Sequence, residues 1–365
     1  MAGPGDPPEG TPEGVPAGGE DEYRSVVFDE SFVRAARLQE YSAQERITDH
    51  APAVRSRPAW AGRRGSTHAL VLVLVVALAF GTAIYMGLRH PYAPPAANRA
   101  ESLGMTVIPL APEGTVPGGT PDDLFANSQA AQFRVGAAGI TLPAARRTAH
   151  FSESQVMAAL ATAKDYLVES SLDPDVLTGA TERPVRVLLD PDQVAQFDRS
   201  LDFPADDGRH AATGWLVRFD PTKTALADPE VRVRGTMRFA EAGPGMLEVI
   251  TDHTFVYAVR EAGAAPGRAD DASLFTVRRE LHLRFDRDDL RTHQAEVHLS
   301  YVQAGPQSCA PDPSVHFQPL LPGEKATREG PAGTDPFDSG RATAVCGTLA
   351  PGAMPTPATP KPPRP

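Results

Sequence analysis

An α+β fold is what this sequence predicts, and three observations carry the expectation. The run SESQVMAALATAKDYLVESSL, from Ser152 to Leu172, places apolar residues at the 3.6-residue spacing of a helix. Several later runs alternate apolar and polar residues with the two-residue period of a half-covered strand. Ahead of both, residues 69–88 read ALVLVLVVALAFGTAIYMGL and contain no charge. The expected architecture is a disordered cytoplasmic tail, one transmembrane helix, and an extracytoplasmic domain with a helix lying on a curved antiparallel sheet.

The chain begins with a tail. Its 37 Pro and 31 Gly crowd residues 1–19, 91–121 and 305 onward, so those stretches bury too little apolar surface to offset the entropy of ordering. Residues 1–65 are therefore expected to be mostly disordered, apart from SVVFDESFVRAARLQEYSAQERI at 25–47. Asp29 precedes one short helical piece there, and Ser42 with Glu45 forms the capping pattern of a second. Helices this short are marginal alone. The segment reads either as a docking element that orders on a partner or as a transient juxtamembrane helix without one. The docking reading assigns Val27, Phe28, Phe32, Leu38 and Tyr41 to partner binding.

The apolar run has the length of helix that crosses a hydrocarbon layer ~30 Å thick. Arg55, Arg57, Arg63 and Arg64 precede it, against Arg89 and Arg99 after it. The positive-inside rule then puts the N-terminus in the cytoplasm, with Trp60 and Tyr85 as interfacial anchors. A buried core helix is disfavoured by the absence of an interrupting polar residue. A cleaved signal peptide is disfavoured by the long polar region ahead. The expectation is a helix at 66–88 and a single-pass protein of a bacterial plasma membrane, N-terminus inside and C-terminal domain outside, with a Pro/Gly-rich spacer at 89–144.

The folded domain is expected at 145–304. Ser152 is a good N-cap, with Gln155 in the capping-box position. RPVRVLLDPDQVAQF reads as a short strand turning into a short helix, and TGWLVRFD, EVRVRGTMRF, GMLEVITDHTFVYAVR, LFTVRRELHLRF and AEVHLSYV read as strands. Val231, Val233, Met237 and Phe239 share one face against Arg232, Arg234 and Arg238. Phe275, Val277, Leu281, Leu283 and Phe285 oppose Arg278, Glu280, His282 and Arg284. One covered face and one wetter face result, with the long helix as cover. This order of elements is similar to the cone of the NTF2-like or cystatin-like folds, an analogy that fixes no function.

Cys309 and Cys346 are the only cysteines. On the expected outer side they read as a disulfide stapling 305–348, ahead of a disordered Pro-rich tail at 349–365. Metal ligation or a catalytic thiol pair is the alternative, and no CxxC or Cys/His spacing supports it.

The sequence holds no GxSxG, HExxH or P-loop, and two cysteines exclude the common structural zinc patterns. No catalytic residue, cofactor or metal is expected. His253, His282 and His298 fall on expected strands, where solvated histidines are the ordinary case, and His282 and His298 share a side if their strands form a hairpin. The acidic turns DRDD (286–289) and ADDG (205–208) lack calcium-loop spacing. Arg232, Arg234, Arg238, Arg278 and Arg284 form a candidate binding face for an anionic wall polymer or a partner, set against the simpler reading of surface charges paired with Glu248, Asp252 and Glu280. The net charge of -11 argues against nucleic acid.

Basic residues are nearly all arginine, the usage of a GC-rich genome such as an actinobacterial one. The segment VVFDESFVRAARLQEYSAQERI, the Arg-flanked span after PAWAGRRG and the ending DPFDSGRATAVCG resemble single-pass membrane proteins of Streptomyces associated with the spore-wall synthesis complex. That resemblance implies a non-enzymatic bitopic scaffold joining a cytoplasmic partner to wall-side components, and it transfers no active-site residue. The alternative is an NTF2-like domain that binds or processes a small ligand or wall precursor. Oligomeric state is not readable.

Overall fold

The computed structural model describes residues 67–89, 100–264, 271–327, 334–338 and 346–356. The chain divides into two compact units, Met1–Pro91 and Tyr92–Pro365. In the first, helix α1 spans Thr67–Arg89, with side chains described over 71–82 and exposed there. Among the described residues no helix is long and apolar enough to cross a membrane. The expected transmembrane helix, signal anchor, plasma-membrane location and N-in topology are corrected accordingly. The docking segment 25–47, with Val27, Phe28, Phe32, Leu38 and Tyr41, lies outside the described residues.

The second unit is α+β, built on a mixed eight-stranded sheet. Its elements run β1 (Gly104–Pro112), α2 (Pro121–Ala126), β2 (Arg134–Val135), α3 (Glu153–Ser171), α4 (Pro174–Leu177), α5 (Arg183–Arg186), α6 (Val194–Asp202) and α7 (Ala212–Trp215). There follow β3 (Thr224–Leu226), β4 (Arg232–Gly243), β5 (Met246–Glu261), β6 (Ala272–Phe285), α8 (Arg287–Thr292), β7 (Glu296–Gly305) and β8 (Gly347–Leu349). The order is β2-β4-β5-β6-β7-β1-β8, with β3 pairing β5. Strands β4 to β7 form the expected antiparallel meander.

The sheet is mixed rather than wholly antiparallel because β1 runs parallel to both β7 and β8. The expected spacer thus supplies a strand of the sheet, between β7 and β8. Pro109 and an almost continuous apolar run hid it, since a strand buried on both faces loses its alternation. Two expected strands are helical turns instead. In RPVRVLL, Pro184 occupies the first turn of α5. In TGWLVRFD, every residue from Ala211 to Val217 is buried around α7.

Helix α3 covers the inner face. Ser152 accepts from the Gln155 N–H and Gln155 returns the bond to the Ser152 N–H, a complete capping box. Val156, Ala159, Leu160, Ala163 and Leu167 then pack on Val233, Leu247, Val249, Phe255, Val277 and Leu281 in one core. The acidic turn 286–289 caps α8: Asp286 accepts from the Asp288 and Asp289 N–H groups.

One row across this inner face is not apolar. Gly235, His253, Arg279 and Val302 are successive register partners on β4, β5, β6 and β7. Arg279 is fully buried. Its Nη1 donates to Ser170 Oγ and Ser171 Oγ, both at 2.7 Å, and its Nη2 donates to the Trp215 carbonyl at 2.6 Å and the Gly214 carbonyl at 3.4 Å. Tyr166 donates to the same Trp215 carbonyl at 2.8 Å, Tyr257 to the Ser171 carbonyl at 2.7 Å, and Ser300 to the Gly214 carbonyl at 2.6 Å. One guanidinium therefore joins the sheet to the end of α3 and to α7.

The segment after β7 folds back on the domain. Phe317 is buried against Phe275, and the Cys309–Cys346 disulfide is present, closing a separation of 37 residues. Two measurements test these ties. Arg279→Met leaves two hydroxyls and part of two carbonyls unpaired, and urea unfolding should show a loss of about 3 kcal/mol that Arg279→Lys does not recover. Cys309→Ser with Cys346→Ser should cost up to about 4 kcal/mol by the same measurement.

Candidate functional site on the outer face of the sheet

The outer face has two halves. One is roofed by Leu124, Phe125, Ala130 and Phe133, which pack on Val256, Ala258, Ala272 and Leu274, with Phe337 alongside. The other half carries the charged residues that the alternation points outward.

Most of those charges are engaged. Arg278 is nearly buried and grips Asp252 with two bonds, Nε to Oδ1 at 2.8 Å and Nη2 to Oδ2 at 2.7 Å. Arg284 lies 3.4 Å from Glu101 and 3.5 Å from Glu248. His282 sits between Glu280 at 3.2 Å and Glu248 at 3.5 Å, and His298 is 3.3 Å from Glu101. The β6–β7 hairpin thus brings both histidines into one network. Desolvation, then the Arg284 charge, lowers the His298 pKa, while Glu101 and Glu248 oppose that shift. Among the described residues no group of three or more His, Cys, Asp or Glu is arranged to hold a metal.

The remaining arginines line β4. Arg232 pairs with Glu230 at 3.5 Å and lies 5.0 Å over the Phe125 ring. Arg234 is exposed and stacks 4.4 Å over Phe133. Arg238 is exposed. Neither Arg234 nor Arg238 has an ion pair among the described residues. The structure therefore divides the five candidate arginines: Arg232, Arg278 and Arg284 are held by acids, and Arg234 and Arg238 are not.

Two other places gather polar groups. A cavity of about 480 Å³ opens beside β3 and the end of β5, lined in part by Asp220, Lys223, Glu261, Leu320 and Glu324. Asp220 already accepts from the Thr222 hydroxyl at 2.6 Å and Glu324 from the Leu321 N–H at 2.7 Å, so both carboxylates are partly engaged within the protein. The second place is the inner row, where His253 is not the solvated strand histidine expected but a buried one. His253 is fully buried, with Nδ1 and Nε2 unpartnered, as are Thr251 Oγ1 and Arg279 Nε. Burial pushes the His253 pKa down to about 4. Its ring lies against Gly235 so closely that any Cβ there would collide with it.

No family model matches the chain, and no curated protein does. Among solved structures, the chain is similar to hexachlorocyclohexane dehydrochlorinase (LinA) Type2, at 12% identity over 46% of this chain and 98% of that one, with a TM-score of 0.25. A likeness so slight carries no argument.

The division of the arginines has a stability signature. Arg278→Met strands the half-buried Asp252 carboxylate and should cost about 2 kcal/mol in denaturant unfolding, whereas Arg238→Ala should stay within about 0.5 kcal/mol of the parent.

Proposed function

We propose that the α+β unit is a non-enzymatic protein-interaction module whose binding surface is the outside of the sheet. The observation that carries this reading is the packed interior beneath α3. Tyr166, Phe197, Trp215, Phe255, Tyr257 and Phe275 are all fully buried there, and Arg279 spends both of its terminal nitrogens on four neutral protein acceptors. A small-molecule site ordinarily needs a concave space with a few polar groups turned toward it. Here the terminal nitrogens of Arg279 and the Tyr166 and Tyr257 hydroxyls turn toward protein acceptors. The likeness of the N-terminal and C-terminal sequences to spore-wall complex proteins supports testing wall-synthesis proteins first as partners.

A second reading, a small-ligand site inside the unit, is favoured by one observation: Thr251 Oγ1, His253 and Arg279 Nε are buried without partners on adjacent positions of one face. Thermal unfolding of the full chain with acetate, phosphate, decanoate and N-acetylglucosamine separates the two. The module reading expects no ligand-induced rise in Tm. It also expects any two-hybrid interaction with wall-synthesis proteins to survive His253→Phe. A rise in Tm that His253→Phe abolishes would overturn it.

The same variant checks the chemistry of the row. A histidine whose folded pKa is about 4, below the ordinary 6.5, binds its proton first in the unfolded chain. Its contribution is complete above pH 6.5 and is lost as pH falls toward 4, by about 3 kcal/mol in all. His253→Phe should remove that part of the acid sensitivity, read as a smaller difference in urea midpoint between pH 7 and pH 4.

A further inference from the structure

The outer surface carries a more particular feature at β4. This strand pairs with β5 along its length, from Arg232 to Gly243. On its other side only Arg232 and Val233 are paired, with β2. Among the described residues no strand takes up the rest of that edge. The chain leading to α3 passes close by: Gly139 rests against the Val233 carbonyl, and Thr148 and His150 bond the Glu241 side chain near the strand's far end. It contributes Ile140 and Phe151 to the core beneath the sheet. No backbone hydrogen bond joins residues 140–151 to β4.

An edge strand presents alternate N–H and C=O groups outward and can template another strand. On this one, Arg234, Thr236, Arg238, Ala240 and Ala242 are exposed on the outer face. Arg234 and Arg238, four residues apart, stand about 14 Å from each other on that face. They lack ion pairs among the described residues, on a chain whose net charge is -11. The Arg234 guanidinium stacks on the Phe133 ring at 4.4 Å. Carboxylates on alternate residues of an added strand would meet both cations at cross-strand distance.

We infer that the edge of β4 from Arg234 to Ala242 docks an extended acidic segment of a protein partner, which adds to the sheet as a further strand with carboxylates beside Arg234 and Arg238. The inference rests on the proposed interaction role and names the chemistry of its partner.

Fluorescence anisotropy of the full chain tests it with a labelled peptide of alternating Glu and Thr, a Gln-Thr counterpart and a Lys-Thr counterpart. The acidic peptide should bind at least tenfold more tightly than the neutral one and weaken with added salt. Arg234→Glu with Arg238→Glu should weaken it tenfold or more and transfer preference to the Lys-Thr peptide. Arg284→Gln, on the paired half, should leave the affinity within about threefold. Absence of binding up to about 1 mM, or binding indifferent to the double substitution, overturns the inference. So does polyphosphate competing as well as the peptide at equal charge, because a strand would then be unnecessary. These outcomes leave the interaction role itself untouched, since that role is decided by the interior-ligand and two-hybrid measurements.

Discussion

The buried guanidinium of Arg279 is the contact on which the second unit depends. A cation placed inside a core is costly unless its donors are met, and here two hydroxyls of α3 and two carbonyls around α7 meet them. Burial lowers the Arg279 pKa, while Tyr166 and Tyr257 act in the opposite direction. Burial likewise raises the Tyr166 pKa to about 12, so that phenol remains a donor to the Trp215 carbonyl. The helix, the α7 turn and the meander are thereby fixed by directional bonds as well as by apolar contact. The Trp215 indole extends the network by donating to Ser200 at 3.0 Å.

That arrangement bears on where the proposed interaction has room. With large side chains buried on the inner face and Arg279 clasped there, the proposal places binding on the outer face. There the apolar roof takes one half of the sheet, and acid–base pairs occupy much of the other. Pairing matters for recognition because a partner must break an existing ion pair before using either member, whereas Arg234 and Arg238 have no ion pair among the described residues. Beyond Val233, strand β4 has no further strand partner on that side among the described residues, and it carries both of these arginines.

Much of the architecture was legible. The capping box at Ser152, the helix it begins and the alternation along β4 and the second half of β6 can be read directly from residue spacing, because one face there is buried and the other is not. β1 was not legible, since a strand covered on both faces reads as a plain apolar run and its prolines suggest a spacer. The inner row was visible only as gaps. Gly235 interrupts the apolar face of β4, and Arg279 interrupts that of β6. Because Arg278 precedes it, Arg279 reads as part of a polar pair. An arginine at an apolar-face position was the signal, and only its register beside His253 gives it meaning. Which surface arginines are neutralised was also beyond the sequence: Glu101 lies far from Arg284 along the chain and meets it through folding.

The claim that Arg279 is a structural clasp is most directly tested by nitrogen-15 NMR of its guanidinium in the full chain. Four protein acceptors should restrict rotation, so its Nη protons should appear as separate, slowly exchanging resonances unaffected by small anions. Averaged resonances that exchange rapidly with water, or that shift on addition of a small anion, would contradict the account.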